Sequence, residues 1–235
     1  MTLIPIAFGI AAMLATMAGG LIALRLQHRI GLVLGVTAGI VLGVALFDLV
    51  PEAIELGNGH WPARSLMAFT AAGIGGYMLL DRMLAGIPRA ARSWRGDLGP
   101  AMLCLHSLMD GIGIGLAFQI DTAAGWMIAL AVLTHDVADG VNTVSLSLAA
   151  RSEKAARRWL ILNGVAPMLG VLLGLAIVIP ASMLAPLMAL FAGIFLYIGA
   201  CELVPRSRAL DPRLRTSIAS VTGILLMLGI THFAH

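Results

Sequence analysis

Two segments of this chain repeat one pairing. His106 is followed four residues later by Asp110, His135 is followed four residues later by Asp139, and a glycine stands directly after each acid. Residues four apart on an α-helix project from one face about a turn apart, so each segment offers an imidazole and a carboxylate side by side. Both pairs fall in the middle of long apolar runs, where ionisable groups are costly unless something pairs with them. If the two helices face each other, two nitrogens and two carboxylates converge. That set suits a tetrahedral Zn²⁺, or part of a larger shell around Fe²⁺ or Mn²⁺. A divalent cation would also neutralise the two carboxylates. A lone buried histidine more often bonds a neighbouring helix. The repetition is what points to a metal or proton site.

Ser107 and Asp136 each follow a histidine by one position, about 100° around the helix. They are expected to support the ligands or to form an adjoining subsite, with plain interhelical hydrogen bonding as the alternative. Gly111 and Gly140 would permit close packing or local unwinding. Asp48, Asp81 and Glu202 lie near the ends of apolar runs and mark a candidate route for the ion, although acids in such places are often merely hydrated. The 13 methionines are scattered and suit packing. Cys104 and Cys201 give no disulfide framework.

The elements that must position these groups follow from composition. Of 235 residues, 60% are hydrophobic and 11% charged, too little charge to coat a water-facing surface of this size. The apolar residues come in blocks long enough to cross about 30 Å of hydrocarbon, which only helices can do with their backbone satisfied. Eight spans are expected near residues 3–24, 30–50, 64–84, 98–118, 124–148, 159–179, 184–204 and 214–234. With both termini on the extracytoplasmic side, 14 of the 15 basic residues fall on the inner side and only Arg64 on the outer. The inner clusters include Arg25 and Arg29; Arg82, Arg89, Arg92 and Arg95; and Arg151, Lys154, Arg157 and Arg158. The basic excess therefore reads as topology, with lipid as the partner and no nucleic acid. The expectation is an all-α integral membrane protein, one transporter domain over residues 1–235, in a bacterial inner membrane. The first span is read as a retained helix rather than a signal peptide.

The chain also repeats itself. Residues 39–51 read GIVLGVALFDLVP and residues 193–205 read GIFLYIGACELVP, identical at six positions, with Asp48 aligned to Glu202. In the expected topology these segments run in opposite directions, as do the two His/Asp segments. Inverted repeats around a midplane site are an architecture of secondary transporters.

HSLMDGIGIGLAF at 106–118, HDVADGVNTVSL at 135–146, LVPEA at 49–53 and GIFLYIGACELVP at 193–205 resemble the signature helices of the ZIP (Zrt/Irt-like) family of divalent-metal transporters. The resemblance implies uptake of zinc, iron or manganese towards the cytoplasm by alternating access, often as a homodimer. It also implies midplane ligands at His106, Ser107, Asp110, His135, Asp136 and Asp139, with Glu202 and Asp81 nearer the inner exit. The chain departs from the family pattern at several places. Ser107 stands where asparagine is frequent, Asp110 and Asp139 where glutamate is common, and Ala166 where some members have a metal-bridging glutamate. One principal metal is therefore favoured over two. Residues 85–97 contain no histidine, so the histidine-rich loop of eukaryotic members is missing.

No phosphate-binding Walker sequence is present to couple ATP. The rival readings are an intramembrane zinc metallohydrolase, with Asp136 as acid or base, and a metal sensor without a route. The divalent ion is thus expected as substrate, zinc before iron or manganese.

Overall fold

The computed structural model describes residues 3–85, 92–120, 122–178 and 180–234. These form helices α1 (Leu3–Arg25), α2 (Ile30–Val44), α3 (Val50–Gly57), α4 (Ala63–Ala85), α5 (Arg92–Ile120), α6 (Thr122–Ala150), α7 (Glu153–Ala176), α8 (Ala185–Tyr197), α9 (Val204–Leu210) and α10 (Leu214–Ala234). No strand occurs among the described residues. Arg89 lies outside them, and the side chains of Arg92 and Arg95 likewise.

Among the described residues, six stretches are long and apolar enough to cross a bilayer: Leu3–Arg25, Gln27–Gly57, Gly96–Ile120, Glu153–Ala176, Ala185–Leu210 and Leu214–His232. α4 and α6 overlap the other two expected spans without meeting that measure. The reason for α6 is chemical, because it concentrates His135, Asp136, Asp139, Asn142 and Thr143 within three turns, all buried.

Local sequence explains the breaks between helices. Ser152 caps α7 in an extended conformation, its hydroxyl accepting from the Ala155 N–H at 3.3 Å, and Glu153 sits in the first turn. α2 and α3 are joined by a π-helical segment, Ala45–Leu49, and α8 and α9 by another, Ile198–Leu203. The N–H of Val50 reaches the carbonyl of Ala45, and that of Val204 reaches Gly199, each five residues back. Pro51 and Pro205 follow immediately and lack the N–H that an α-helical ladder would need, which accounts for the wide turn just before each. The two π segments coincide in the sequence repeat, and each holds the aligned acid, Asp48 or Glu202.

The chain divides into two compact units. The first comprises Met1–His28, Gly99–Ile179 and Ile230–His235, and so holds α1, α6, α7 and most of α5. The second comprises Arg29–Leu98 and Pro180–Gly229, with α2, α3, α4, α8, α9 and most of α10. Within each, the helices cross at glycines, and the crossings come in matched pairs. In the first unit, a methyl on Gly111 would run into the Pro167 carbonyl and one on Gly170 into the Leu108 carbonyl. Correspondingly, a methyl on Gly140 would run into the Thr16 carbonyl and one on Gly19 into the Val137 carbonyl. α5 on α7 is thus repeated, residue for residue, by α6 on α1.

In the second unit, Gly39 meets Ser220 and Gly223 of α10, while Gly193 meets Thr70 of α4, and Gly73 in turn meets Leu190 and Gly193. Such close backbone approach is the packing that small residues allow where lipid supplies no hydrophobic drive between helices. The repeat therefore extends to α1 with α7 and to α4 with α10, beyond the segments whose sequences show it.

Candidate metal site

α5 and α6 carry the site and belong to the same unit. His106, Asp110, His135 and Asp139 are all buried, with exposures of 0, 5, 3 and 0%. Each offers one ligand atom, and the four atoms lie within 4.8 Å of one another. Nε2 of His106 is 3.3 Å from Asp110 Oδ2 and 4.0 Å from Asp139 Oδ2, and Nε2 of His135 is 3.5 Å from Asp110 Oδ2. The two imidazole rings stack with centroids 5.9 Å apart and an interplanar angle of 21°. His106 lies beside Asp139 and His135 beside Asp110, so α5 and α6 run antiparallel through the site.

These distances can be compared with a metal polyhedron. Bonds of about 2.0–2.2 Å place neighbouring ligands of a tetrahedral zinc roughly 3.3–3.6 Å apart. The two edges to Asp110 already match. The edge from His106 to Asp139 is longer and leaves room for a larger ion or for a water in the shell. Charge fits as well, because the two carboxylates of the cluster are balanced by one divalent cation.

The other expected residues divide. Ser107 is fully buried and engaged by α7. Its hydroxyl donates to Asn163 Oδ1 of α7 at 3.0 Å, and Asn163 Nδ2 donates to Thr143 Oγ1 of α6 at 2.9 Å. This buried chain ties α5, α7 and α6 together behind the site. Asp136 is fully buried on the side of α6 that meets α1, beside Thr16 and within the electrostatic reach of His135, Asp139 and Asp110. Ala166 is buried in α7, one residue before Pro167.

Asp48, Asp81 and Glu202 belong to the second unit. Asp81 and Glu202 share a neighbour in Tyr77, whose ring is 5.4 Å from that of Tyr197. Glu202 also pairs with Arg206 at 3.4 Å. Asp48 is buried within the first π segment.

Sequence reasoning passed over Asn163 and Asn142. Both are fully buried amides. A buried asparagine in a membrane run was the available signal.

Membrane-crossing helices around a buried cluster of two imidazoles and two carboxylates define a class, that of integral membrane proteins handling divalent metal ions. Comparison with known proteins makes this specific. The family described as "ZIP Zinc transporter" matches residues 98–231, more than half of the chain, and the chain belongs to that family. It is similar to the zinc transporter ZupT of Enterobacter sp. (strain 638), 28% identical over 244 residues, covering 95% of this chain and 94% of that protein. ZupT of Shigella dysenteriae serotype 1 (strain Sd197) is 28% identical over the same shares. The zinc transporter foi of Drosophila melanogaster is 29% identical over 127 residues, covering 54% of this chain and 18% of that protein. The chain is accordingly a multi-pass inner-membrane protein whose activity is divalent metal transport.

Proposed function

We propose that the chain carries a divalent transition metal, zinc before iron or manganese, towards the cytoplasm by alternating access. The observation that carries this reading is the cluster of four buried ligand atoms within 4.8 Å of one another, drawn from two antiparallel helices. His106, Asp110, His135 and Asp139 hold the ion. Asp136 supports His135 and Asp139 from the α1 side, and Ser107 positions α5 through Asn163. A single principal metal is favoured, since Ala166 offers no oxygen. Asp48, Asp81 and Glu202 serve the ion's route, with the last two nearer the inner exit. Eight crossings with both termini extracytoplasmic give the basic residues their inner placement, and the chain works as a homodimer. The duplicated helix crossings support alternating access, because matched halves permit two arrangements of similar energy.

Uptake into proteoliposomes loaded with a fluorescent zinc indicator tests the reading. Wild-type uptake that disappears in folded His106→Ala and Asp139→Ala variants supports it. Zinc bound without flux, with iron and manganese also not carried, would favour a sensor.

A further inference from the structure

Asn142 stands three residues beyond Asp139 and seven beyond His135, so all three share one stripe of α6, Asn142 being roughly 4.5 Å further along the axis. Its exposure is 0%, and neither its amide oxygen nor its amide nitrogen has a hydrogen-bond partner. A buried amide left without partners is destabilising and calls for an explanation. One turn further along the stripe a small hydroxyl, Ser145, and an apolar side chain, Leu146, are both buried. Leu146 is 1% exposed, and its Cδ atoms stand 3.3 and 3.4 Å from where a Cβ on Gly99 of α5 would be. Leu103 of α5, 1% exposed, lies at the same end. Asn142 is therefore the first side chain beyond the His/Asp cluster on this stripe to offer an amide oxygen.

The repeat sharpens the observation. The position of α5 equivalent to Asn142 is Gly113, three residues beyond Asp110. A methyl there would meet no heavy atom within 4 Å outside its own helix. Because α5 and α6 are antiparallel, Gly113 and Asn142 flank opposite ends of the cluster. One flank is open and lacks a side chain; the other is closed and holds an unpaired amide.

We infer that Asn142 is a second station for the transported ion, its amide oxygen taking the cation as it leaves the histidines while Asp139 keeps hold of it. This rests on the transport reading above. The exchange replaces imidazole nitrogens by an amide oxygen and water. An oxygen-rich shell suits hard cations better than zinc, so the station holds zinc more weakly than the four-ligand cluster and eases its departure. Asn142 thus acts on the rate of passage and on discrimination among metals, and little on the resting affinity.

The test uses the full-length protein and two variants. Asn142→Leu keeps the volume and removes the unpaired amide, and Asn142→Asp keeps an oxygen donor. Zinc affinity is measured by calorimetry in detergent, and zinc and manganese uptake in proteoliposomes. Expected for Asn142→Leu is a zinc affinity within about twofold of wild type, a maximal uptake rate lower by about tenfold or more, and a nearly unchanged KM. Asn142→Asp should recover uptake above the leucine variant. Wild-type uptake by Asn142→Leu overturns the inference, as does joint loss of affinity and thermal stability, which would make Asn142 a structural support. A wild type that neither binds nor carries either metal overturns the transport reading, and the inference with it.

Discussion

Nε2 of His106 and Oδ2 of Asp139 stand 4.0 Å apart although they belong to different helices, while Asp110 Oδ2 lies 3.3 Å from the same nitrogen and 3.5 Å from its counterpart on His135. Asp110 is thus within reach of both imidazoles, and Asp139 adds a second carboxylate to the cluster.

Asp110→Asn and Asp139→Asn should each weaken zinc binding. Loss of a charged partner to buried donors is worth about 1.5–3 kcal/mol, or roughly 10- to 150-fold in affinity. Competition with a zinc chelator of known affinity measures it, with far-UV circular dichroism showing the helices intact.

Gly140→Ala and Gly111→Ala should each lower stability by about 1–3 kcal/mol, because the new methyl meets a backbone carbonyl on α1 or α7 that has no freedom to move aside. Gly75→Ala in α4 is the comparison. Nothing lies within 4 Å of its would-be Cβ, so the higher helix propensity of alanine should leave the protein as stable or slightly more so. Thermal unfolding in one detergent orders the three.

Ser107→Ala should leave Asn163 Oδ1 without its donor and cost about 1–3 kcal/mol of stability. Zinc affinity should stay within about twofold, since the hydroxyl proton is already given to Asn163. A tenfold loss of affinity at unchanged melting temperature would instead make Ser107 a ligand.

Asp211, in the turn before α10, is held below the usual carboxylate range by its hydrogen bond from Arg215 and, less strongly, by the Arg213 N–H. A carboxylate lowered on folding adds stability above its ordinary pKa and loses it as pH falls through the lowered value. Arg215→Gln should bring the Asp211 titration back towards that of an ordinary aspartate, as read by carbon-detected NMR. The Arg215 side chain being more than half exposed, the unfolding midpoint should move little.

Much of this architecture was legible because lipid leaves the chain few choices. A long apolar run must be a helix, and a histidine and an aspartate four residues apart must share a face. The sequence repeat around Asp48 and Glu202 was visible for the same reason, since prolines and glycines at matched places leave a readable imprint. The match of α1 with α7 was not, because what recurs there is backbone contact at Thr16 and Pro167, carried by carbonyls that any residue supplies. The bridge from Ser107 through Asn163 to Thr143 was hidden likewise, since no spacing rule says which asparagine in one helix meets which serine in another. α4 and α6 read as spans yet fall short in apolarity, and in α6 the shortfall is the site itself.

The two π segments have a mechanical meaning. Each holds one residue more than an α-helical stretch of equal rise, so everything after it is turned by about 100° relative to an unbroken helix. Deleting one residue between Ala45 and Leu49, or between Ile198 and Leu203, would leave a continuous helix of nearly the same length. It would act as a rotation and not as a truncation, carrying the prolines and everything beyond them to a different side of the rod.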